Sequence, residues 1–245
     1  DEDILYKYGK NKIIFNNFKI FKNEIKNYFL NNCQDSEFGN WKKLIESDLQ
    51  ISWSTHLRFE ESLLDSRVWE DARSSGCRFL HMGFETGSER VLRLMGKATT
   101  TKQIQQSLEF SSTHGVWNHV MGFFGFPGET YEDAKSSMLF LESSKENIHS
   151  IGFGTFDLTK YSPVIKNADK FGVAYTRNDE WDLALDYYFT VNEGIGIEEA
   201  GRVLEEFEQN HYPGWDLKIY IREYLFLYVA HFGTNKLPSL QFKSQ

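Results

Sequence analysis

Two stretches of this sequence share one local design, and this repetition limits the possible folds more than any other feature. Each stretch has an apolar strand, a glycine-rich turn, a glutamate and the start of a helix. The first is Cys77–Leu92, which contains Glu85, and the second is Val120–Thr130, which contains Glu129. Because ligands of α/β folds bind beyond the carboxyl ends of parallel strands, the two turns predict one shared cleft.

Short polar residues mark the helix starts that follow both turns. Ser88 can cap the first helix through its hydroxyl, and Thr130 with Asp133 three residues later predicts a capping box for the second. Pro127 and Gly128 suit the central positions of a type II turn, in which the glycine adopts a positive φ. Both strands are therefore predicted to run directly into capped helices.

Strands and helices alternate through the first two thirds of the chain. The predicted strands start near residues 12, 50, 78, 117 and 149, and helical periods lie between them. This alternation is typical of a parallel sheet with right-handed crossovers. Later residues have a different pattern, with predicted helical runs at 181–189, 197–209 and 217–232. We therefore expect a β/α domain at residues 1–165 and a mostly helical extension at residues 166–245.

Composition excludes several function classes. A net charge of −8 argues against a dedicated nucleic-acid binder. No apolar run approaches the roughly 18 residues that a membrane-spanning helix needs. Two cysteines, Cys33 and Cys77, show no pairing pattern, and the first residues contain no secretory signal. These features predict a cytoplasmic protein without a membrane partner, and they make nucleic acid an unfavoured partner without excluding a local basic patch.

The two motifs together resemble the radical S-adenosylmethionine (SAM) superfamily, and in particular the branch that often carries an N-terminal cobalamin-binding domain. The matching segments are Gly83–Leu92, with Met95-Gly96-Lys97 after it, and Gly122–Thr130. The resemblance extends over roughly residues 5 to 160. It implies a partial (β/α)6 TIM-like barrel of the radical SAM type that lacks its first strand, followed by a C-terminal helical segment.

The sequence departs from this family at its defining feature. Family members hold a [4Fe-4S] cluster on a Cys-x3-Cys-x2-Cys loop after their first strand, and this chain has no such loop. We expect either a piece that begins after the loop or a degenerate relative that lost it, and the missing strand agrees with the first. A cluster would come only from a missing upstream segment or subunit, and we assign no metal ligand or catalytic residue to this chain.

The resemblance also implies a set of SAM-binding residues. Arg58 lies at the end of a strand with a polar face, where the family holds the SAM carboxylate, and Asn16 and Asn17 fall where the family contacts the amino group. An asparagine turn is the alternative for that pair. The full set is Glu85, Ser88, Arg58, Asn16, Asn17, Gly122, Phe124 and Gly125. His56, Asp157 and Tyr161 are substrate-side candidates, with a plain hydrogen-bonded rim residue as the alternative for His56.

The implied function is radical modification of an unidentified small-molecule or peptide substrate, with cobalamin-assisted methylation as one form of it. One alternative is a radical-SAM-like barrel without a cluster that serves as a non-catalytic binding or partner subunit. Another is an α/β enzyme that does not use SAM. The upstream gene sequence would distinguish them, because a cysteine loop within about one βα unit (roughly 30 residues) favours the enzyme.

Overall fold

The computed structural model describes residues 51–176, 186–210 and 222–234, together with the helical residue Ile45, and for residues 222–225 only the backbone. The chain divides into two units, residues 1–49 and 50–245. Ile45 is the described residue of the first unit, and the elements below all belong to the second. The predicted strand near residue 12 and the candidates Asn16 and Asn17 lie outside the described residues.

A four-stranded parallel sheet forms the centre of the second unit. Its strands are β1 (Trp53–Arg58), β2 (Cys77–Glu85), β3 (Trp117–Phe124) and β4 (Ser150–Thr155), and they lie side by side in chain order. The expected strands near residues 50, 78, 117 and 149 are thereby confirmed. With helices after each of its first three strands, the sheet is that of a partial TIM-like barrel.

The helices begin where the sequence places short polar residues. Asp65, Ser88, Thr100 and Thr130 each accept a hydrogen bond from a backbone N–H of the first helical turn, and Thr100 and Thr130 form full capping boxes. The capped helices are α1 (Ser66–Ser74), α2 (Glu89–Leu94), α3 (Thr101–Thr113) and α4 (Tyr131–Ser143).

The two faces of the sheet have different coverings. On the outer face, Phe84 stacks on Phe140 of α4, and Asn118 bonds the backbone of α3. Helix α6 (Ile197–Asn210) also covers this face, where its Phe207 contacts Phe124. On the inner face, Phe79 and Trp117 form a cluster with Val229 of helix α7 (Arg222–Phe232). In the described residues no helix is long and apolar enough to cross a membrane.

A second, antiparallel sheet follows the parallel one. Strands β5 (Leu158–Thr159), β6 (Val173–Thr176) and β7 (Asp186–Val191) pair in the order β5-β7-β6, and the short helix α5 (Pro163–Lys166) lies between β5 and β6. Leu158, Val173 and Phe189 from these strands share one apolar cluster with Val91 of α2 and with Phe126.

This sheet corrects one prediction. The helical run expected at residues 181–189 is wrong where it meets β7, because the side chains there alternate: Phe189 is 8% exposed and Tyr188 is 68% exposed. The runs expected at 197–209 and 217–232 are helical where they are described. The predicted domain boundary at residue 165 falls within α5 and stays a prediction.

Candidate functional site

Strand β2 ends in an unusual backbone conformation at Glu85. Among the described residues, Glu85 is the one non-glycine residue with a positive φ, at 64°. The pairing of β2 with β3 also shifts register between Gly83 and Glu85, which marks a β-bulge. A non-glycine residue in the left-handed region costs on the order of 1 kcal/mol, and such strain is concentrated at functional sites. The surrounding contacts therefore hold the Glu85 side chain in one direction.

The Glu85 carboxylate folds back over Gly83. Its Oε1 lies 2.8 Å from the position that a Cβ on Gly83 would take, so a larger residue there would displace the carboxylate. The same oxygen accepts a hydrogen bond from Lys97 Nζ at 2.8 Å, and the two side chains are 23% and 22% exposed. Glu85 is thus a partly solvated carboxylate with one cationic partner.

Protein atoms occupy the space beside both Gly83 and Gly87. At Gly83, the carboxylate itself fills the space. At Gly87, an added Cβ would lie 2.7 Å from Ser137 Cα and 2.9 Å from the Ser136 carbonyl oxygen. Gly87 therefore allows α4 to pack closely against the turn, and it leaves no space for a ligand.

Arg58 approaches the same place from the neighbouring strand. It is the last residue of β1, its Cα pairs with Gly83, and its side chain is exposed. Arg58, Gly83 and Lys97 line a cavity of about 260 Å³, together with Phe59 and Thr99. The structure therefore brings the predicted cation and the predicted carboxylate together at one glycine, and it adds Lys97, to which the sequence analysis gave no role.

Ser88, another predicted SAM contact, has its hydroxyl engaged within the fold. The hydroxyl caps α2 by accepting from Val91 N and donates to Asp133 Oδ1 at 2.6 Å. Asp133 also pairs with Arg90 and accepts from Thr130, so the starts of α2 and α4 are tied together. Burial alone raises the pKa of Asp133, but the hydrogen bonds from Arg90, Ser88 and Thr130 hold that pKa well below its usual range.

The predicted residues of β3 lie at packing positions. A Cβ on Gly122 would overlap the Phe153 ring and the Glu85 carbonyl oxygen. Phe124 is fully buried on the outer face, where it contacts Phe153 and Phe207. Gly125 has a φ of 89°, and an added Cβ would lie 2.7 Å from Ala200 Cβ. These three contacts are structural, and a SAM contact at these positions stays a prediction.

Glu129 is the most deeply buried carboxylate among the described residues. Its Oε2 accepts from Gly125 N at 2.5 Å and from Phe126 N at 3.3 Å, and its buried Oε1 has no hydrogen-bond partner among the residues that the structure describes. Burial raises the pKa of Glu129 to about 7. The side chain therefore stabilises the turn after β3 through buried hydrogen bonds.

The three substrate-side candidates are spread across the sheet. His56 is exposed on β1, at one end of the described sheet, and its ring stacks on His81 at 4.6 Å between centroids. Asp157 follows β4, at the other end of the described sheet, and is also exposed. Tyr161 is 74% exposed, with Lys160 Nζ 5.8 Å from its ring centroid. The structure does not bring His56 together with the other two, and their roles stay predictions.

The described residues do not fit a [4Fe-4S] cluster. Clusters of this type are held by cysteine thiolates. The sequence has two cysteines, and Cys77 is buried at the start of β2, where burial raises its thiol pKa to about 12. Within the described ranges, no group of three or more His, Cys, Asp or Glu residues could hold a metal ion.

Known proteins match the same region. Residues 38–141 match the model of the Radical SAM superfamily. An uncharacterized methyltransferase of Pyrococcus horikoshii is 28% identical over 100 residues, which are 40% of this chain and 21% of that protein. A tRNA-2-methylthio-N(6)-dimethylallyladenosine synthase of Sulfurihydrogenibium sp. is 33% identical over 90 residues, 36% of this chain and 19% of that protein. The chain thus spans about a fifth of the length of these curated relatives.

Solved structures share the fold. The cobalamin-dependent S-adenosylmethionine radical enzyme OxsB superposes with a TM-score of 0.53 at 15% identity, over 72% of this chain and 31% of that chain. The radical SAM enzyme HemN, the coproporphyrinogen III oxidase of Escherichia coli, gives a TM-score of 0.50 at 15% identity, over 71% and 36% of the two chains. The chain is therefore similar to the Radical SAM superfamily over residues 38–141, and it shares the fold of these two solved structures.

Proposed function

We propose that this chain binds SAM at the carboxyl ends of β1 and β2. The observation that carries the proposal is the strained Glu85, whose carboxylate is aimed over Gly83 beside Lys97 while Arg58 reaches the same glycine from β1. Strain of this kind persists only where surrounding contacts impose it. The arrangement places two cationic side chains, Arg58 and Lys97, at the wall of a small cavity, and Lys97 also pairs with the Glu85 carboxylate.

The charges of this cavity are those that SAM requires. SAM carries a carboxylate, an ammonium group and ribose hydroxyls. Arg58 can donate to the carboxylate, and Glu85 can accept from the ammonium or hydroxyl donors. Lys97 Nζ donates to Glu85 Oε1 at 2.8 Å, which fixes the position of the carboxylate. Charge-assisted hydrogen bonds of this type contribute about 1.5–3 kcal/mol each.

The reaction that follows from SAM binding in this superfamily is radical modification of a substrate. SAM supplies this chemistry when it is bound beside a reduced cluster, and the protein binds and shields it. The chain's own cysteines do not fit a cluster, so we assign the cluster to a separate segment or subunit. Two relatives, a methyltransferase and a methylthio-group synthase, support methyl or methylthio transfer as the reaction. We propose a small-molecule or peptide substrate, with cobalamin as the cofactor that assists methylation.

A second function is favoured by the same cysteine count. A barrel that holds SAM but no cluster would act as a binding or partner subunit. Both functions require SAM binding, and they differ in whether a cluster-bearing partner makes the complex active. SAM affinity is therefore the first quantity to measure.

Calorimetry of the 245-residue chain with SAM tests the proposal. Glu85→Gln should weaken SAM binding by about tenfold or more, because 1.4 kcal/mol corresponds to a factor of ten. Glu205→Gln is the matched control, since Glu205 is exposed on α6. A thermal melt of each variant reports folding, which should survive in both because neither carboxylate is packed in the core.

Unchanged SAM affinity in folded Glu85→Gln would contradict the site assignment. If the wild-type chain binds no SAM, the proposed function itself is wrong. A loss of affinity in Glu85→Gln and Arg58→Gln, but not in Glu205→Gln, would support the cavity at Gly83 as the binding site.

A further inference from the structure

Glu129, the buried carboxyl group of the turn after β3, has no part in the proposed SAM site. The residue is 0% exposed, and its Oε2 accepts from Gly125 N and Phe126 N. Its buried Oε1 has no hydrogen-bond partner among the described residues. An unpaired buried oxygen costs far more on an ionised carboxylate than on a neutral carboxylic acid. The position therefore favours a protonated side chain.

A short loop between β7 and α6 covers the backbone of this glutamate. We call residues 193–196 the cover loop. Ile195 N donates to Glu129 O at 2.7 Å, and Gly128 N donates to Glu193 O at 3.2 Å. These two hydrogen bonds run in opposite directions between the loop and the turn. The cover loop is therefore seated on the turn by its backbone.

The first turn of α6 continues this cover. Ala200 is 1% exposed and contacts Gly125, whose N–H binds the Glu129 carboxyl group, so closely that a Cβ on Gly125 would lie 2.7 Å from Ala200 Cβ. Ile195 of the cover loop is 3% exposed. The loop and the start of α6 thus shield the turn from solvent together.

Charged groups approach Glu129 from the two neighbouring helices. Burial is the main influence and raises the pKa of Glu129 to about 7; Asp133 of α4 raises it further, and Arg90 of α2 lowers it. Arg90 is already paired with Asp133, so the two charges offset each other. The other charged groups at the cover are exposed glutamates: Glu193, Glu198 and Glu199. No cation of the cover loop therefore compensates an ionised Glu129.

The cover loop is the side of this enclosure that can open at the lowest cost. Strand β3 is paired on both sides, with β2 and with β4, and α4 begins with a capping box. The cover loop contains Gly194, at a φ of 88°, and Gly196, and glycine allows backbone rotation that other residues resist. Local opening begins where few contacts are lost.

We propose that the cover loop is a proton-controlled lid on the turn after β3, closed while Glu129 is protonated and opened when Glu129 is ionised. An ionised Glu129 needs water at Oε1, and lifting the loop admits it. Each opening event then releases one proton to solvent. The inference goes beyond the proposed function and does not rest on it, because every group involved belongs to this chain and no SAM is required.

Amide hydrogen exchange followed by NMR tests the lid in the 245-residue chain. The Ile195 and Gly128 N–H groups join the loop to the turn, and each exchange rate is divided by the rate of an unprotected amide at the same pH. The closed state has the raised pKa and the open state the ordinary value of 4.5. Because one proton is released, the ratio should rise about tenfold per pH unit between these two values and level off above about pH 7.

Two variants isolate the carboxyl group. Glu129→Gln keeps an acceptor for the two backbone N–H groups and does not titrate, so its exchange ratio should stay constant across the pH series. Glu132→Gln is the matched control, because Glu132 is exposed in the first turn of α4. It should keep the wild-type dependence. The slope in the wild-type chain remains a test if Glu129→Gln does not fold.

Low concentrations of urea separate lid opening from global unfolding. Lifting a short loop exposes little surface, so about 0.5 M urea should leave exchange at Ile195 and Gly128 unchanged, whereas amides of the parallel sheet should exchange faster. A flat pH dependence in the wild type, an unchanged slope in Glu129→Gln, or equal acceleration of loop and sheet amides by urea would overturn the inference.

Discussion

At the scale of single residues, two buried ionisable groups give the fold opposite dependences on pH. Burial raises the pKa of Glu129 from 4.5 to about 7, so the folded protein keeps a proton that the unfolded chain releases. Burial lowers the pKa of His149 from 6.5 to about 4, so the folded protein excludes a proton that the unfolded chain takes up. By linkage, the Glu129 term weakens as pH rises and the His149 term strengthens as pH rises.

Glu129→Gln should change how the free energy of unfolding depends on pH. The stabilisation from protonated Glu129 is fully present below pH 4.5 and is lost as the pH rises through about 7. A shift of this size corresponds to roughly 3 kcal/mol, at 1.36 kcal/mol per pKa unit. Glutamine keeps an acceptor for Gly125 N and Phe126 N and does not titrate. The variant should therefore match the wild type near pH 5 and exceed its free energy of unfolding near pH 8.

Urea unfolding at a series of pH values measures this difference. The His149 term is present in both proteins and cancels when the variant is compared with the wild type. A constant difference across the series would show that Glu129 is ionised in the folded protein at all these pH values, against the raised pKa.

At the scale of secondary-structure elements, the sequence predicts those elements that depend on residues close together in the chain. The strand–turn–helix units follow from apolar runs and from caps such as Ser88 and Thr130, whose partners lie three residues away. The β5-β7-β6 sheet was not predicted, because its pairing joins residues that are far apart in the chain, such as Leu158 and Tyr187. Aromatic runs of this kind are ambiguous between helix and strand without a known neighbour.

The sequence predicts one part of the candidate site and not the rest. The pairing of Arg58 with Gly83 follows from consecutive parallel strands, so its nearness to the Glu85 turn could be expected. The β-bulge before Glu85 and the Glu85–Lys97 ion pair depend on tertiary contacts, and no spacing rule indicates them. Strand alternation does not show which face of the sheet packs against α4 and α6, and Phe124 lies on that face.

The loop before α6 packs against the turn that contains Glu129. Gly194 has a φ of 88°, and an added Cβ would overlap the Glu129 carbonyl oxygen and lie 2.9 Å from Glu129 N. Gly128 N donates to Glu193 O at 3.2 Å, and Ile195 N donates to Glu129 O at 2.7 Å. The segment before α6 therefore packs backbone to backbone on the turn after β3.

Gly194→Ala should be strongly destabilising. Alanine is strained at this φ and collides with backbone that cannot yield, so we expect a loss of about 2 kcal/mol or more in the free energy of unfolding. Gly201→Ala is the matched control, because Gly201 lies inside α6 and no described atom comes within 4 Å of an added Cβ. That control should stabilise the helix by about 0.5–1 kcal/mol. Equal stabilities in urea unfolding would contradict the packed turn.

At the scale of the whole molecule, the chain combines a fold that it shares with solved radical SAM enzymes with too few cysteines to hold a cluster. The parallel sheet and the Glu85 turn are present, and its two cysteines cannot supply three thiolates. Cys77 lies at the amino end of β2, opposite the end that carries Glu85, with its pKa raised to about 12 by burial. A thiol of this kind is a poor cluster ligand, because the thiolate is the form that binds metal.

The chain by itself is expected to hold no complete iron–sulfur cluster. Anaerobic reconstitution with iron and sulfide should leave less than one [4Fe-4S] cluster per chain, because such clusters are held by cysteine thiolates. Iron and sulfide analysis measures this, and a Cys33→Ala, Cys77→Ala double variant is the control that should retain the same residual iron. A stoichiometric cluster that the double variant loses would contradict the prediction. SAM binding by the cluster-free chain should still depend on Glu85, because the charges around Gly83 come from this chain alone.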